Sequence, residues 1–267
     1  MASDGAVAIP ADLQHAIAAL AQTERLLVAL DFDGTMSPLV PRPEDARPLP
    51  ASATAFAALS ALPGTTTALI SGRALASLRL VAGPPAATLL VGSHGAEVWL
   101  GPGAAPLELS DAEQDALSRV VAALEAVAAE HPGTAVEYKP AGAVLHTRQA
   151  DDAVGDSAIA AARSALTAGS GIHLTDGKRV LEAAVVRADK GQGLGLLRDA
   201  AAATAVFFAG DDVTDEHAFA ALGTGDVGVK VGPGETAAGY RIPSPAGLPA
   251  VLEQLLAGRE RWSRTQQ

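Results

Sequence analysis

Leu26-Leu27-Val28-Ala29-Leu30-Asp31-Phe32-Asp33-Gly34-Thr35 decides the fold of this chain. Five apolar residues in a row mark a strand buried on both faces, as inside a parallel sheet. The run ends in two carboxylates two residues apart. In extended backbone a period of two sends Asp31 and Asp33 to the same side. Burying such a pair is costly unless a cation is close, and Gly34 lets the chain turn sharply just beyond. The arrangement suits one carboxylate as nucleophile and the other as general acid and base, with a metal ion alongside. A calcium loop is the competing reading. It wants Gly at position six and Glu at twelve, whereas Gly34 is fourth from Asp31 and the twelfth position is Arg42.

Moving outward, residues 11–25 read as a helix with Leu13, Ile17 and Leu20 at helical spacing. A loop with Pro38, Pro41, Pro43, Pro48 and Pro50 follows the carboxylates and is placed to shape a site entrance. A helix over 51–61, a strand over 65–70 ending in Ser71-Gly72-Arg73, a helix over 74–81 and a strand over 88–92 come next. Alternating strands and helices predict a parallel sheet with helices on both faces. After residue 105 the texture changes. Ser110 and Glu113 form a capping box for a helix over 111–130. Val136–Lys139 and Val144–Arg148 flank a Pro140-Ala141-Gly142 turn as a hairpin. A helix over 151–168 and extended pieces at 171–175 and 179–185, around an Asp176-Gly177 turn, complete an α+β insertion. The parallel pattern resumes with a helix over 190–202, a strand over 205–210, a helix over 214–222 and a strand over 226–231. The expected domains are 1–105 with 185–267, and 106–184.

The chain has 267 residues, enough for a substantial core in one domain or two. It is 49% hydrophobic but only 3% aromatic, so closely packed, Ala-rich helices are expected. The net charge of -11 and the lack of any Lys/Arg cluster argue against nucleic acid and anionic membrane surfaces as partners. An anionic substrate would need a local positive field. With no cysteine there is no disulfide framework and no thiolate chemistry, which fits a cytoplasmic protein. Residues 1–10 lack the look of a signal peptide, and no run of about 18 apolar residues predicts a membrane span.

Three further motifs carry chemistry. Gly210-Asp211-Asp212-Val213-Thr214-Asp215 follows the apolar run Val206–Ala209, so a second acidic cluster ends a strand. Ligands of open parallel sheets bind outside such ends, and pooled carboxylates suit one hard cation, magnesium first. Capping of the next helix by Asp212, Thr214 or Asp215 is the plainer alternative. Ser71-Gly72 offers a hydroxyl and a backbone N–H to a phosphoryl oxygen, or simply an N-cap. Lys190 opens a helix, where its charge opposes the macrodipole. It therefore needs a negative partner, or else projects into water.

Together these motifs resemble the haloacid dehalogenase superfamily of phosphatases. Asp31–Pro38, Ser71-Gly72-Arg73, Gly92–Glu97 and Gly210–Glu216 look like those of its trehalose-6-phosphate phosphatases. So do Glu137-Tyr138-Lys139, His146-Thr147-Arg148 and Gly177–Glu182 in the insertion. The resemblance implies an α/β fold, with a Rossmann-like core and an inserted α+β cap. It implies Asp31 as nucleophile and Asp33 as acid and base. Thr35, Ser71, Gly72 and Lys190 would hold phosphate, and Asp31, Asp33, Asp211, Asp212 and Asp215 would serve Mg2+. Substrate would be gripped by Arg73, His94, Glu97, Glu137, Lys139, His146, Arg148, Lys178 and Glu182. By period-two counting Glu137, Lys139, His146 and Arg148 share one hairpin face. The pattern alone reads as the solvated face of an antiparallel sheet, and the resemblance turns it into a sugar-reading face.

The chain departs from the family where an Arg-Pro pair is usual, at Ala184 and Val185, and where His217 replaces a common Asp. The implied reaction is hydrolysis of trehalose 6-phosphate, a small-molecule sugar phosphate, with no obligate protein partner. The rivals are a phosphatase for sucrose or glucosylglycerate phosphate, a non-catalytic sugar-phosphate sensor, and a scaffold for a synthase. The intact Asp31, Asp33, Lys190 and Asp211 set speaks against a sensor, which has no need of an acid and base.

Overall fold

The computed structural model describes residues 9–103, 108–167, 171–186 and 188–266. In chain order the elements are α1 (Ala11–Leu20), β1 (Leu26–Asp31), α2 (Pro50–Ser60), β2 (Thr65–Ile70), α3 (Leu75–Ala82), β3 (Leu89–Gly92) and β4 (Glu97–Trp99). Then come α4 (Asp111–Glu130), β5 (Ala135–Lys139), β6 (Gly142–His146), α5 (Asp152–Thr167), β7 (His173–Gly177) and β8 (Val180–Ala184). The chain continues with α6 (Lys190–Ala200), β9 (Ala205–Gly210), α7 (Asp215–Ala220), β10 (Val227–Val231), β11 (Tyr240–Ile242) and α8 (Leu248–Thr265). Two compact units result: Met1–Ala105 with Asp189–Gln267, and Pro106–Ala188.

The first unit is a seven-stranded sheet in the order β11-β10-β9-β1-β2-β3-β4, parallel throughout except for β4. Its middle strand explains the opening apolar run. Leu26, Val28 and Leu30 pack with Leu13, Phe56, Leu78 and Leu252 from α1, α2, α3 and α8. Leu27 and Ala29 turn the other way, towards Leu194, Leu197 and Phe219 of α6 and α7. Each alternate residue meets a different helical layer, so no position in β1 tolerates a polar side chain until the strand ends. The parallel arrangement brings the C-terminal ends of β1, β2, β3, β9 and β10 to one edge.

The second unit is an antiparallel sheet in the order β5-β6-β8-β7. Ala143, Leu145, Leu181 and Ala183 are buried on one face. Val120, Leu124, Ala158 and Ala162 form the buried stripes of α4 and α5.

Several expectations need correction. Helix α1 stops at Leu20 rather than 25, because Arg259 of α8 takes the carbonyls of Ala21 and Thr23 beyond it. The second hairpin turns at Lys178-Arg179, not Asp176-Gly177. Arg179 adopts φ 64°, and its guanidinium holds the Thr147 and Ala150 carbonyls at 3.2 and 3.3 Å, which overrides the local Asp-Gly signal. The return crossing falls at 188/189 rather than 184/185. Val185 is still tied to the second unit by its N–H to the Ala141 carbonyl, 2.8 Å. The outward crossing lies in 104–107 and the expected end of α5 at 168, both outside the described residues. Strands β4 and β11 and helix α8 go beyond the sequence reading, although Leu248, Val251, Leu252 and Leu255 carry a clear helical stripe.

Candidate active site

Register places Leu30 beside Ala209 and Asp31 beside Ile70, so the ends of β9, β1 and β2 lie side by side. Asp31 closes β1, is 3% exposed and accepts from Lys190 Nζ at 2.7 Å. The same ammonium donates to Asp215 Oδ1 at 2.6 Å. Lys190 therefore has the partners that its place at a helix start demands, and the helix is capped instead by Asp189, which accepts from Gln192 N–H at 2.8 Å. Burial on its own lowers an ammonium, yet Asp31 and Asp215 together hold Lys190 above its ordinary value. Burial holds the Asp31 carboxyl well above the carboxylate range; Lys190 opposes this, while Asp215 and Asp211 add to it. Burial and Asp215 push Asp211 up to about 6.

On top of burial the charges act on one another, because three carboxylates share one ammonium. Asp31, Asp211 and Asp215 each offer an oxygen within 4.8 Å of the others. Such a set suits a hard divalent cation. Asp211 is fixed from the β1 side, where Thr35 Oγ1 donates to it at 3.2 Å. Gly34, at φ 85°, leaves the space it occupies, and a Cβ there would stand 2.1 Å from Asp211 Oδ2. Asp212 lies apart from this cluster. Its side chain is exposed, and its N–H donates to Asp215 Oδ2 at 2.9 Å. Thr214 makes no side-chain cap, so of the acidic run Asp215 serves both the turn and the ammonium.

Asp33 does not join the carboxylate cluster. Arg73 holds it in a two-point fork, Nε to Oδ2 at 2.6 Å and Nη2 to Oδ1 at 2.7 Å. Arg73, expected on substrate, thus faces the expected acid and base. Ser71 is buried just past β2, and its Oγ accepts from the Arg73 N–H at 3.2 Å. Gly72 lies against the His94 ring, where a Cβ would come within 2.4 Å. His94 itself sits at φ 55° in a turn that Glu97 braces, accepting from Ser93 Oγ at 2.6 Å. Glu97 is buried in that role.

In the second unit, register puts Glu137, Lys139, His146 and Glu182 on one face, with His173 and Thr175 joining from β7. Lys139 Nζ reaches Glu182 Oε1 at 2.8 Å, passing Gly142, which has no side chain to block it. His146 Nε2 and Glu137 Oε2 are 2.8 Å apart. Arg148 falls outside the alternation, in a turn after β6, and Lys178 is exposed at the tip of the second hairpin.

Fold and site together define an α/β protein of the haloacid dehalogenase type, with an acidic, Lys-bridged centre at the strand ends and an α+β insertion. The sequence profile described as trehalose-phosphatase matches residues 29–243, and the chain belongs to that family. The bifunctional trehalose-6-phosphate synthase/phosphatase of Thermoproteus tenax is 35% identical over 243 residues, covering 88% of this chain and 32% of its own length. The trehalose-phosphate phosphatase of Mycobacterium marinum is 34% identical over 260 residues, covering 88% and 64%. The chain thus spans less than two thirds of either relative. Among solved structures, the C-terminal domain of Candida albicans trehalose-6-phosphate phosphatase shares the fold, with a TM-score of 0.75 at 21% identity, covering 95% of this chain and 99% of that one. Among the described residues no helix is long and apolar enough to cross a membrane.

Proposed function

We propose that this chain is a Mg2+-dependent phosphatase that hydrolyses trehalose 6-phosphate, a small-molecule substrate met in the cytoplasm. The observation that carries this reading is the Lys190 ammonium bridging Asp31 and Asp215 at the end of the middle strand. It fixes the Asp31 carboxylate by Oδ1, and Oδ2 is assigned as the attacking atom. That oxygen forms a bond to phosphorus as the bond from phosphorus to the sugar oxygen breaks, and Asp33, entering the step with a proton in place of one arm of its Arg73 fork, protonates the departing oxygen. Water then attacks the aspartyl-phosphate, Asp33 takes its proton, and phosphate leaves. Ser71 Oγ and the Gly72 N–H are the donors for phosphoryl oxygens, with Lys190 offsetting charge on the nucleophile; Thr35, whose hydroxyl goes to Asp211, serves the site through that carboxylate. Arg73 orients Asp33. Phosphoryl transfer asks for little beyond this alignment and charge neutralisation.

The three clustered carboxylates exceed one ammonium by two charges, which fits a divalent cation. Asp31, Asp211 and the Asp33 carbonyl would hold Mg2+, with Asp212 and Asp215 supporting its surroundings. The ion would supply charge stabilisation for the transferring phosphoryl group. The polar face of Glu137, Lys139, His146 and Glu182, with Arg148 and Lys178 at its margins, is the sugar-reading surface.

The test is phosphate release from a panel of sugar phosphates, with Mg2+ or with chelator, for wild type and Asp31→Asn. A Mg2+-dependent preference for trehalose 6-phosphate, lost in the variant, is expected. Substantial activity in Asp31→Asn would sink the nucleophile assignment. Preference for sucrose phosphate or glucosylglycerate phosphate would reassign the sugar face and keep the chemistry. No release from any member of the panel would favour a sensor.

A further inference from the structure

Lys230 is a charged residue inside a strand that is otherwise Val227-Gly228-Val229 and Val231. It is 3% exposed. Its register partner on β9 is Gly210, the residue before the acidic loop. From there Nζ donates to the Asp211 carbonyl at 2.7 Å and reaches the Asp212 carbonyl at 3.4 Å. The Glu216 carboxylate lies 3.4 Å away and is itself tethered, accepting from the Ala237 N–H at 2.8 Å and Thr236 Oγ1 at 3.2 Å. None of the steps derived above uses Lys230. Desolvating an ammonium is costly, and a branched apolar residue would fill a buried strand position more cheaply. The charge therefore has to be explained by what it holds.

It holds the backbone of Asp211. That loop is under load, because the Asp31, Asp211 and Asp215 carboxylates crowd within 4.8 Å and repel one another. Thr35 restrains the Asp211 side chain from one direction, and Lys230 restrains its carbonyl from the other.

We propose that Lys230 is a positioning residue that sets the affinity of the site for its divalent cation, by pinning the Asp211–Asp212 backbone so that the Asp211 carboxylate stays turned to Asp31. This rests on the phosphatase reading above, in which Asp211 is a metal ligand. Outer-shell groups that orient ligands commonly change metal affinity by about 10–100-fold when removed. The sign separates positioning from plain electrostatics. Removing a nearby positive charge would by Coulomb's law tighten cation binding, whereas loss of an anchor weakens it.

The experiment is calorimetric titration of the full chain with Mg2+, for wild type, Lys230→Met and Lys230→Gln, with thermal melts in chelator as the control on folding. Lys230→Met is expected to raise the Kd for Mg2+ about 10–100-fold, and the Mg2+ concentration for half-maximal phosphate release should rise by the same factor. Lys230→Gln keeps an N–H donor, so it should weaken binding by less than Lys230→Met. Should Lys230→Met fail to fold, Lys230→Gln alone decides, with a weakening of about 10-fold expected, the low end of that range. Affinity equal to or tighter than wild type in a folded variant overturns the proposal, including the case where melting temperature falls and Kd does not move. Wild type that hydrolyses sugar phosphate with Mg2+ while the variants bind the ion normally sinks this inference alone. Wild type that binds Mg2+ but hydrolyses nothing sinks the phosphatase reading alone.

Discussion

Gly34→Ala tests the geometry of the acidic centre with a single methyl group. At φ 85° an L side chain meets its own carbonyl, which costs roughly 1–2 kcal/mol. The added Cβ would start 2.1 Å from Asp211 Oδ2 and 2.3 Å from its Cγ, and real contacts of this kind do not fall below 3.0 Å. The atom in the way belongs to a short side chain that Thr35 already holds at 3.2 Å. The carboxylate must therefore retreat by nearly an ångström, breaking a hydrogen bond worth about 1 kcal/mol. Moving Asp211 away from Asp31 and Asp215 relieves repulsion and returns part of that. The net loss of stability in chelator is expected to be about 1–2 kcal/mol, read from urea unfolding midpoints. Metal affinity should suffer more, because a displaced ligand cannot meet the ion: a rise in Mg2+ Kd of about 10-fold or greater by calorimetry. A companion Asp211→Ser change should restore much of the stability and none of the affinity, so the two substitutions will not add. If Gly34→Ala unfolds and binds Mg2+ like wild type, Asp211 does not occupy the space above Gly34 and the cluster has been misread.

Three other outcomes follow from the same site. Asp211 is pushed up to about 6, above its unfolded value of about 4. The folded state then holds a proton that the unfolded state has released, so this group's contribution to stability falls as pH rises from about 4 to about 6 and stays lost above. In chelator the melting temperature should be higher at pH 5 than at pH 7.5, with a shallower slope in Asp211→Asn; an unchanged slope in that variant would remove Asp211 as the cause. Arg73→Met frees Asp33 from its two-point fork. Turnover of sugar phosphates, whose leaving oxygen needs a proton, should drop about 100-fold, while p-nitrophenyl phosphate, with its acidic leaving group, loses much less; equal losses on both would assign Arg73 to phosphate binding instead. Glu137→Ala should lower kcat/KM for trehalose 6-phosphate about 10–100-fold, the value of a hydrogen bond to a charged group, and leave p-nitrophenyl phosphate nearly untouched. Parallel losses on the two substrates would remove the sugar-reading role.

What could be read from the chain alone follows from where the relevant forces act. The Leu26–Leu30 run and the carboxylate at its end were legible, because burial on both faces of a central strand leaves a continuous apolar signature. The shared face of Glu137, Lys139 and His146 was legible too, since a period of two is a local property; Arg148 was not, because the strand ends at His146. The Asp176-Gly177 turn was misplaced for the opposite reason: carbonyls at Thr147 and Ala150, far off in sequence, hold Arg179 in the turn. The fork between Arg73 and Asp33 spans 40 residues, and it depends on β2 lying beside β1, which no local pattern encodes.

The charged residues carry a sharper lesson. Lys190 stands at a helix start that opposes its charge, and Lys230 stands in a strand of Val and Gly. Each is a local misfit visible in the sequence, and each proves to be buried against acceptors from another strand end. A misfit of this kind states that a partner must exist, since a buried ammonium without acceptors would shed its proton or unfold its surroundings. It does not state which partner. Lys190 stands out in the sequence because it opens a helix against the macrodipole; Lys230, with an equal misfit inside an apolar strand, belongs to no recognised motif. The physical signal was the same in both, so charges placed against local preference in buried elements are themselves evidence of a site, whether or not a motif surrounds them.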